Sequence, residues 1–83
     1  MKKQELSTLD LTGPGDTVLI RSVRNTESHV FRKLLSMGLT AGRSVTVLRR
    51  APFGDPIAIS ALGFTLSLRL SEARLIEVEP VAG

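Results

Sequence analysis

The sequence predicts a mainly β fold: a small SH3-like barrel of about five strands, with one α-helix over about residues 27–37 and a short turn near 71–74. Three observations lead there. Several runs alternate apolar and polar residues between glycine- and proline-bearing turns, the period of half-buried strands. One stretch, from Asn25 to Leu39, repeats at helical spacing and carries signals at both ends. Finally, the chain has only 83 residues. Five short strands in so small a chain cannot hide both faces of a flat sheet, whereas curling into a barrel capped by the helix removes exposed edges.

Each element has a local cause. Thr12-Gly13-Pro14-Gly15-Asp16 is a turn that separates a loose N-terminal segment, residues 1–10, from the first strand. That strand runs from Thr17 to Val23, with Val18 and Ile20 facing inward. Asn25 or Thr26 can cap the helix that follows, and Glu27 sits where the positive end of the helix dipole favours an acid. Val30, Phe31, Leu34, Leu35 and Met37 gather on one wide face, leaving His29, Arg32, Lys33 and Ser36 mostly elsewhere. Gly38 ends the helix in a left-handed conformation, and Leu39 folds back on the last turn.

Beyond Gly42 the period becomes two. Strands are expected over Ser44–Arg50, with Val45 and Val47 inward, and over Pro56–Ala61, with Ile57 and Ile59 inward. Leu62-Gly63 is a tight connection, after which Phe64, Leu66, Leu68 and Leu70 alternate with Thr65, Ser67 and Arg69. Ser71–Arg74 reads as a single capped turn and Leu75–Glu79 as the last strand, with Ile76 and Val78 inward. The whole chain, residues 1–83, is then one domain with a short tail at 80–83.

Composition narrows the function. Cysteine is absent, which removes disulfides, thiolate metal sites and cysteine nucleophiles and points to a reducing, cytoplasmic setting. Gln4 to Thr12 mixes polar and acidic residues with its leucines, so Met1-Lys2-Lys3 does not open a signal peptide, and no apolar run is long enough to insert in a membrane. A sequence pI near 10.2 raises nucleic-acid binding as an alternative. The net charge is only +3, however, the arginines are scattered, and only Phe31, Phe53 and Phe64 could stack on bases. No nucleic-acid partner is expected.

Catalysis has no residue set to stand on. His29 is the single histidine, without a nucleophile elbow, and reads as an ordinary helix residue. Glu77 and Glu79 alternate with Ile76 and Val78 as a solvated strand face, and Gly13-Pro14-Gly15 lacks the length and ending of a phosphate loop. A non-enzyme without cofactor is expected. One imidazole and dispersed carboxylates make no intrinsic metal site either; an adventitious transition metal would bridge molecules through His29 and a carboxylate such as Glu27.

The run FRKLLSMGLTAGRSVTVLRRAPFGDPIAI, followed by LSLRLSEARLIEVE, closely resembles the FeoA family, small cytosolic proteins of bacterial ferrous iron uptake, over roughly residues 11–79. The most specific pieces are Leu34-Leu35-Ser36-Met37-Gly38-Leu39, the turn closing at Gly42, the hairpin Ala51-Pro52-Phe53-Gly54-Asp55-Pro56-Ile57, and Leu68-Arg69 with Ala73 and Ile76-Glu77-Val78. Ala41 stands where the family often has proline, Phe53 replaces a usual leucine, and Ser71 stands where a basic residue is common. The resemblance implies an SH3-like barrel that binds the cytoplasmic, GTP-binding part of the FeoB transporter at the inner face of the membrane. It also implies kinship with domains of metal-dependent repressors, although this chain has no helix-turn-helix half.

Partner contact is expected at the hairpin, through Arg49, Arg50, Pro52, Phe53 and Asp55, because aromatics and arginine favour interface hot spots and two prolines stiffen the tip. Phe53 has two open orientations: out towards a partner, or back over the barrel mouth. Gly38, Gly42, Phe31, Leu34 and Leu68 are the positions expected to be critical to the fold. Uncovered edge strands would also allow a weak homodimer.

Overall fold

The computed structural model describes residues 7–24 and 28–81. Six strands form one antiparallel sheet: β1 (Ser7–Thr8), β2 (Thr17–Val23), β3 (Ser44–Arg50), β4 (Ile57–Ala61), β5 (Phe64–Leu68) and β6 (Ile76–Pro80), in the order β1-β6-β2-β3-β4-β5. Helix α1 (Ser28–Ser36) joins β2 to β3, and α2 (Leu70–Ala73) joins β5 to β6. Asn25, Thr26 and Glu27, expected to start the helix, lie outside the described residues.

The curl of the sheet has a visible cause. Register shifts between Ile20 and Ser22 in β2, and between Val47 and Arg49 in β3, leave Arg21 and Leu48 as extra residues. Such bulges increase local twist and bend the strand. Inside the curl, Ile20, Val45, Val47, Ile57, Ile59, Ile76 and Val78 are essentially inaccessible, and Leu34 of α1 joins them in the core cluster.

The N-terminal segment differs from expectation. From Ser7 onward it is ordered: Ser7 and Thr8 pair with Val78 and Glu77, and Leu9, in the 3-10 turn Leu9–Leu11, is fully buried. A two-residue strand is too short to leave an alternating pattern, so only its long-range pairing reveals it.

Helix α1 shows the inward stripe to be narrower than its apolar content suggests. Val30, Leu34 and Met37 face the core, while Leu35 is 40% exposed. Phe31, expected in the core, is half-buried and stands outside the core cluster and the described residues packed against it. Phe31 and Leu35 are four apart, a stripe one residue further round the helix from Val30 and Leu34.

The helix ends as expected, in a Schellman motif. Gly38 N–H donates to the Leu35 carbonyl at 2.9 Å, and Leu39 N–H donates to the Leu34 carbonyl at 3.0 Å. Gly38 has φ +81°, and a Cβ there would lie 2.5 Å from Leu62 Cδ1. The tight turn Leu62-Gly63 thus lies against the helix end, with positive φ at both residues, as a type I′ hairpin turn requires.

Along the alternating row Phe64, Leu66, Leu68 and Leu70, Leu68 is fully buried, but Phe64 is 69% exposed. The row runs outward past the end of the core, and Leu70 leaves the strand to begin α2. Glu79, expected in solvent beside Glu77, is buried, and its carboxylate lies 3.5 Å from Arg21 of the β2 bulge. Glu77 remains at the surface, accepting hydrogen bonds from Ser22 at 2.8 Å and Arg24 at 3.1 Å.

Candidate partner-binding site

The hairpin between β3 and β4 closes through Ala51 N–H donating to the Pro56 carbonyl at 3.0 Å and Gly54 N–H donating to the Ala51 carbonyl at 2.7 Å. Pro52 and Phe53 are therefore the central residues of a β-turn, with proline where its fixed φ suits the turn. This geometry turns Phe53 outward. It is 97% exposed, so it does not cover the barrel mouth.

The neighbouring arginines face opposite sides of the strand, and the bulge at Leu48 sets which of them points outward. Arg49 pairs with Ala58 and is exposed on the outer face. Arg50 pairs with Ile57, a core residue, and its guanidinium donates to the carbonyls of Asp10 and Thr12. It clasps the N-terminal segment to the barrel, a structural task distinct from the partner contact expected of it. Asp55 is also engaged: its Oδ1 accepts the Leu70 N–H at 3.0 Å, satisfying a first-turn donor of α2. Arg49, Pro52 and Phe53 are the candidates left fully outward at the surface.

Two open depressions lie beside this hairpin. One, about 320 Å³, is bordered by Arg49, Pro56, Ala58, Thr65, Leu66 and Ser67. The other, about 460 Å³, is bordered by Lys33, Asp55, Pro56, Ser67, Arg69 and Glu72. Pro56 and Ser67 border both, so the two adjoin along β5. Sequence reasoning did not single out this region, nor Phe64 within it. Its place next to a two-residue turn, at the far end of a hairpin, was the available signal.

Glu72 sits at the edge of the second depression. Burial opposes its ionisation, but the hydrogen bond from Lys33, that from the Arg69 backbone and the nearby positive charges outweigh it, holding the carboxyl below its ordinary value of 4.5. The folded pKa is lowered, so the associated stability is fully present above the unfolded value and is lost as pH falls through the folded one. Acid titration of the folding free energy should therefore show a loss below pH 4.5, and Glu72→Gln should flatten that part of the curve.

Among the described residues no three histidine, cysteine, aspartate or glutamate side chains gather as a metal centre. His29 is exposed on α1, and Glu27 lies outside the described residues. No helix among the described residues is long and apolar enough to cross a membrane.

A family model described as FeoA domain matches residues 7–80. The chain belongs to the FeoA domain family. An Fe(2+) transport protein A/Fe(2+) transporter FeoB fusion protein from Porphyromonas gingivalis is 39% identical over 69 residues, covering 82% of this chain. The chain spans only 8% of that fusion protein's length. Among solved structures, the FeoA-like protein of Clostridium acetobutylicum is 36% identical with a TM-score of 0.85, over 100% of this chain and 93% of that one. The FeoA protein of Chlorobium tepidum is 39% identical with a TM-score of 0.84, over 93% and 72%. At the level of fold alone, the FeoA of Stenotrophomonas maltophilia, solved with zinc and described as a prokaryotic SH3 domain protein, superposes with a TM-score of 0.77 at 24% identity. A manganese-dependent transcriptional repressor superposes at 0.86 and 21% identity, this chain covering 45% of it. The relatives thus include proteins named for Fe(2+) transport and one described as a prokaryotic SH3 domain protein.

Proposed function

We propose that this FeoA-domain chain is a cytoplasmic regulatory module that docks on the cytoplasmic, GTP-binding part of FeoB, which recruits it to the inner face of the membrane. The observation that carries the reading is the relative in which a FeoA-like segment and FeoB share one polypeptide. Such a fusion favours a pair that works in contact when separate, because a covalent link converts association into an intramolecular event. The outward hairpin supports it: an almost fully exposed phenylalanine on a proline-stiffened turn, beside an exposed arginine, is costly to leave in water and loses little entropy on docking. The residues act by shape and charge; no reaction is assigned to them.

The test is binding of the purified full chain to the cytoplasmic domain of FeoB, with and without guanine nucleotide. Wild-type chain should bind, and Phe53→Ala and Arg49→Glu should each weaken the complex about tenfold, equivalent to about 1.4 kcal/mol. Both variants should melt with the wild type, since neither side chain packs in the core. Unchanged affinity in both would remove the hairpin from the interface, and failure of the wild type to bind would remove FeoB as the partner.

A further inference from the structure

The two ends of the sheet are treated differently. At one end stands β1, two residues long, and so short an edge offers little template for another chain. At the other stands β5, five residues paired only with β4, with the sequence Phe64-Thr65-Leu66-Ser67-Leu68. It contains no charge and no proline, the usual devices for blunting an edge.

The register shows what this edge offers. The two-residue turn Leu62-Gly63 makes Ala61 and Phe64 the closing hydrogen-bonded pair. Along an antiparallel ladder such pairs alternate with non-bonded ones, so Ile59/Leu66 and Ile57/Leu68 exchange hydrogen bonds, while Ser60/Thr65 and Ala58/Ser67 do not. The backbone N–H and C=O groups of Thr65 and Ser67 therefore point away from β4, towards the open edge. No strand among the described residues meets them.

Side chains around the edge define the chemistry of its complement. The depression of about 320 Å³ bordered by Thr65, Leu66 and Ser67 also touches Arg49, which makes no ion pair among the described residues. Arg69 follows directly on β5, and Phe64 stands exposed at its start. An extended segment laid here would meet outward backbone groups, an apolar aromatic at one end, Arg69 beside the carboxylates of Asp55 and Glu72 at the other, and the unpaired positive charge of Arg49 on the outer face.

We infer that the β5 edge takes an extended, acidic and apolar segment of a partner protein as an added strand, paired through the backbone of Thr65 and Ser67. A second copy of this chain fits less well, because it brings the same arginines and a net charge of +3 to the same place. The inference rests on the FeoB reading only for the identity of the partner.

Ser67→Pro tests it directly. The substitution removes an outward N–H without touching the bonds to β4, and proline is tolerated on an edge strand whose N–H faces solvent. Ser67→Ala keeps the N–H and serves as control. The first measurement uses a capped synthetic heptapeptide of alternating valine and glutamate, followed by amide NMR on the labelled full chain. Perturbation centred on Thr65 and Ser67, slowed exchange of those two amides, retention in Ser67→Ala and at least tenfold weakening in Ser67→Pro are expected. Perturbation elsewhere, equal binding by Ser67→Pro, or the same shifts on raising protein concentration without peptide would overturn the inference, the last by making a second copy the occupant. The second measurement repeats the variants against the FeoB cytoplasmic domain. Binding there that is indifferent to Ser67→Pro excludes the edge from that complex; absence of any wild-type binding discards FeoB while the peptide result stands on its own.

Discussion

Leu34→Ala should remove about 3 kcal/mol of folding free energy, the largest loss expected from any single change in the helix. Leu34 is fully buried and is the apex of the Val30–Leu34–Met37 stripe that seats α1 on the barrel. Truncation forfeits transfer free energy and leaves a cavity that a rigid strand framework can only partly close, a combination worth about 2–5 kcal/mol. Against the roughly 5–15 kcal/mol that holds a small domain together, this is a large share. Thermal unfolding should show a drop of about 15 °C, at roughly 4–8 °C per kcal/mol for a chain of this size. Leu34→Met, which conserves volume, should cost less than about 1.5 kcal/mol. If alanine melts with the wild type, the helix is not seated by this side chain.

Arg50→Ala is expected to follow at about 2 kcal/mol, through a different mechanism. Its guanidinium donates to the carbonyls of Asp10 and Thr12, and Thr12 is itself buried. Hydrogen bonds to a charged group contribute roughly 1.5–3 kcal/mol each, and leaving buried acceptors unmet adds a desolvation cost. The effect should be local as well as global. Hydrogen exchange should accelerate at Ser7 and Thr8, and at their partners Glu77 and Val78, before the rest of the sheet responds. Arg49→Ala, one residue away on the outer face, should change stability by no more than about 0.5 kcal/mol. Equal effects from the two arginines would contradict the division of labour that the bulge imposes.

That contrast shows where sequence reading stops. Strands β2 and β3 appear at the expected bounds, Thr17–Val23 and Ser44–Arg50, because turn residues flank them and alternation is local information. The end of α1 is legible for the same reason: Gly38 and Leu39 carry their own geometry. Bulges are not local in this sense. Nothing in Val47-Leu48-Arg49-Arg50 announces that Leu48 is the extra residue, yet this decides which arginine faces the solvent and which turns to the N-terminal segment. The expectations for Phe31 and Glu79 fail for a related reason, and the exposure of Phe64 has the same origin. Periodicity tells which side of an element a residue occupies, but not how far the core extends beneath it. Phe64 lies on the inner side beyond the core's end, Phe31 on a helix face that overhangs it, and Glu79 on a strand covered by the Arg21 bulge. The hairpin tip is readable as a proline-stiffened turn, though not the outward orientation of Phe53, whereas the open edge of β5 emerges only once the pairing order of all six strands is known.

The short pairing of β1 with β6 carries a consequence of another kind. Ser7 stands opposite Val78 and Thr8 opposite Glu77, so the polypeptide enters and leaves the barrel on adjacent strands, roughly 5 Å apart. A domain with such neighbouring entry and exit points can be spliced into a longer polypeptide, or appended at either end, without stretching its host or threading a linker around itself. The architecture is that of a portable cassette, and a gene fusion would join it to a larger protein at a single point on its surface.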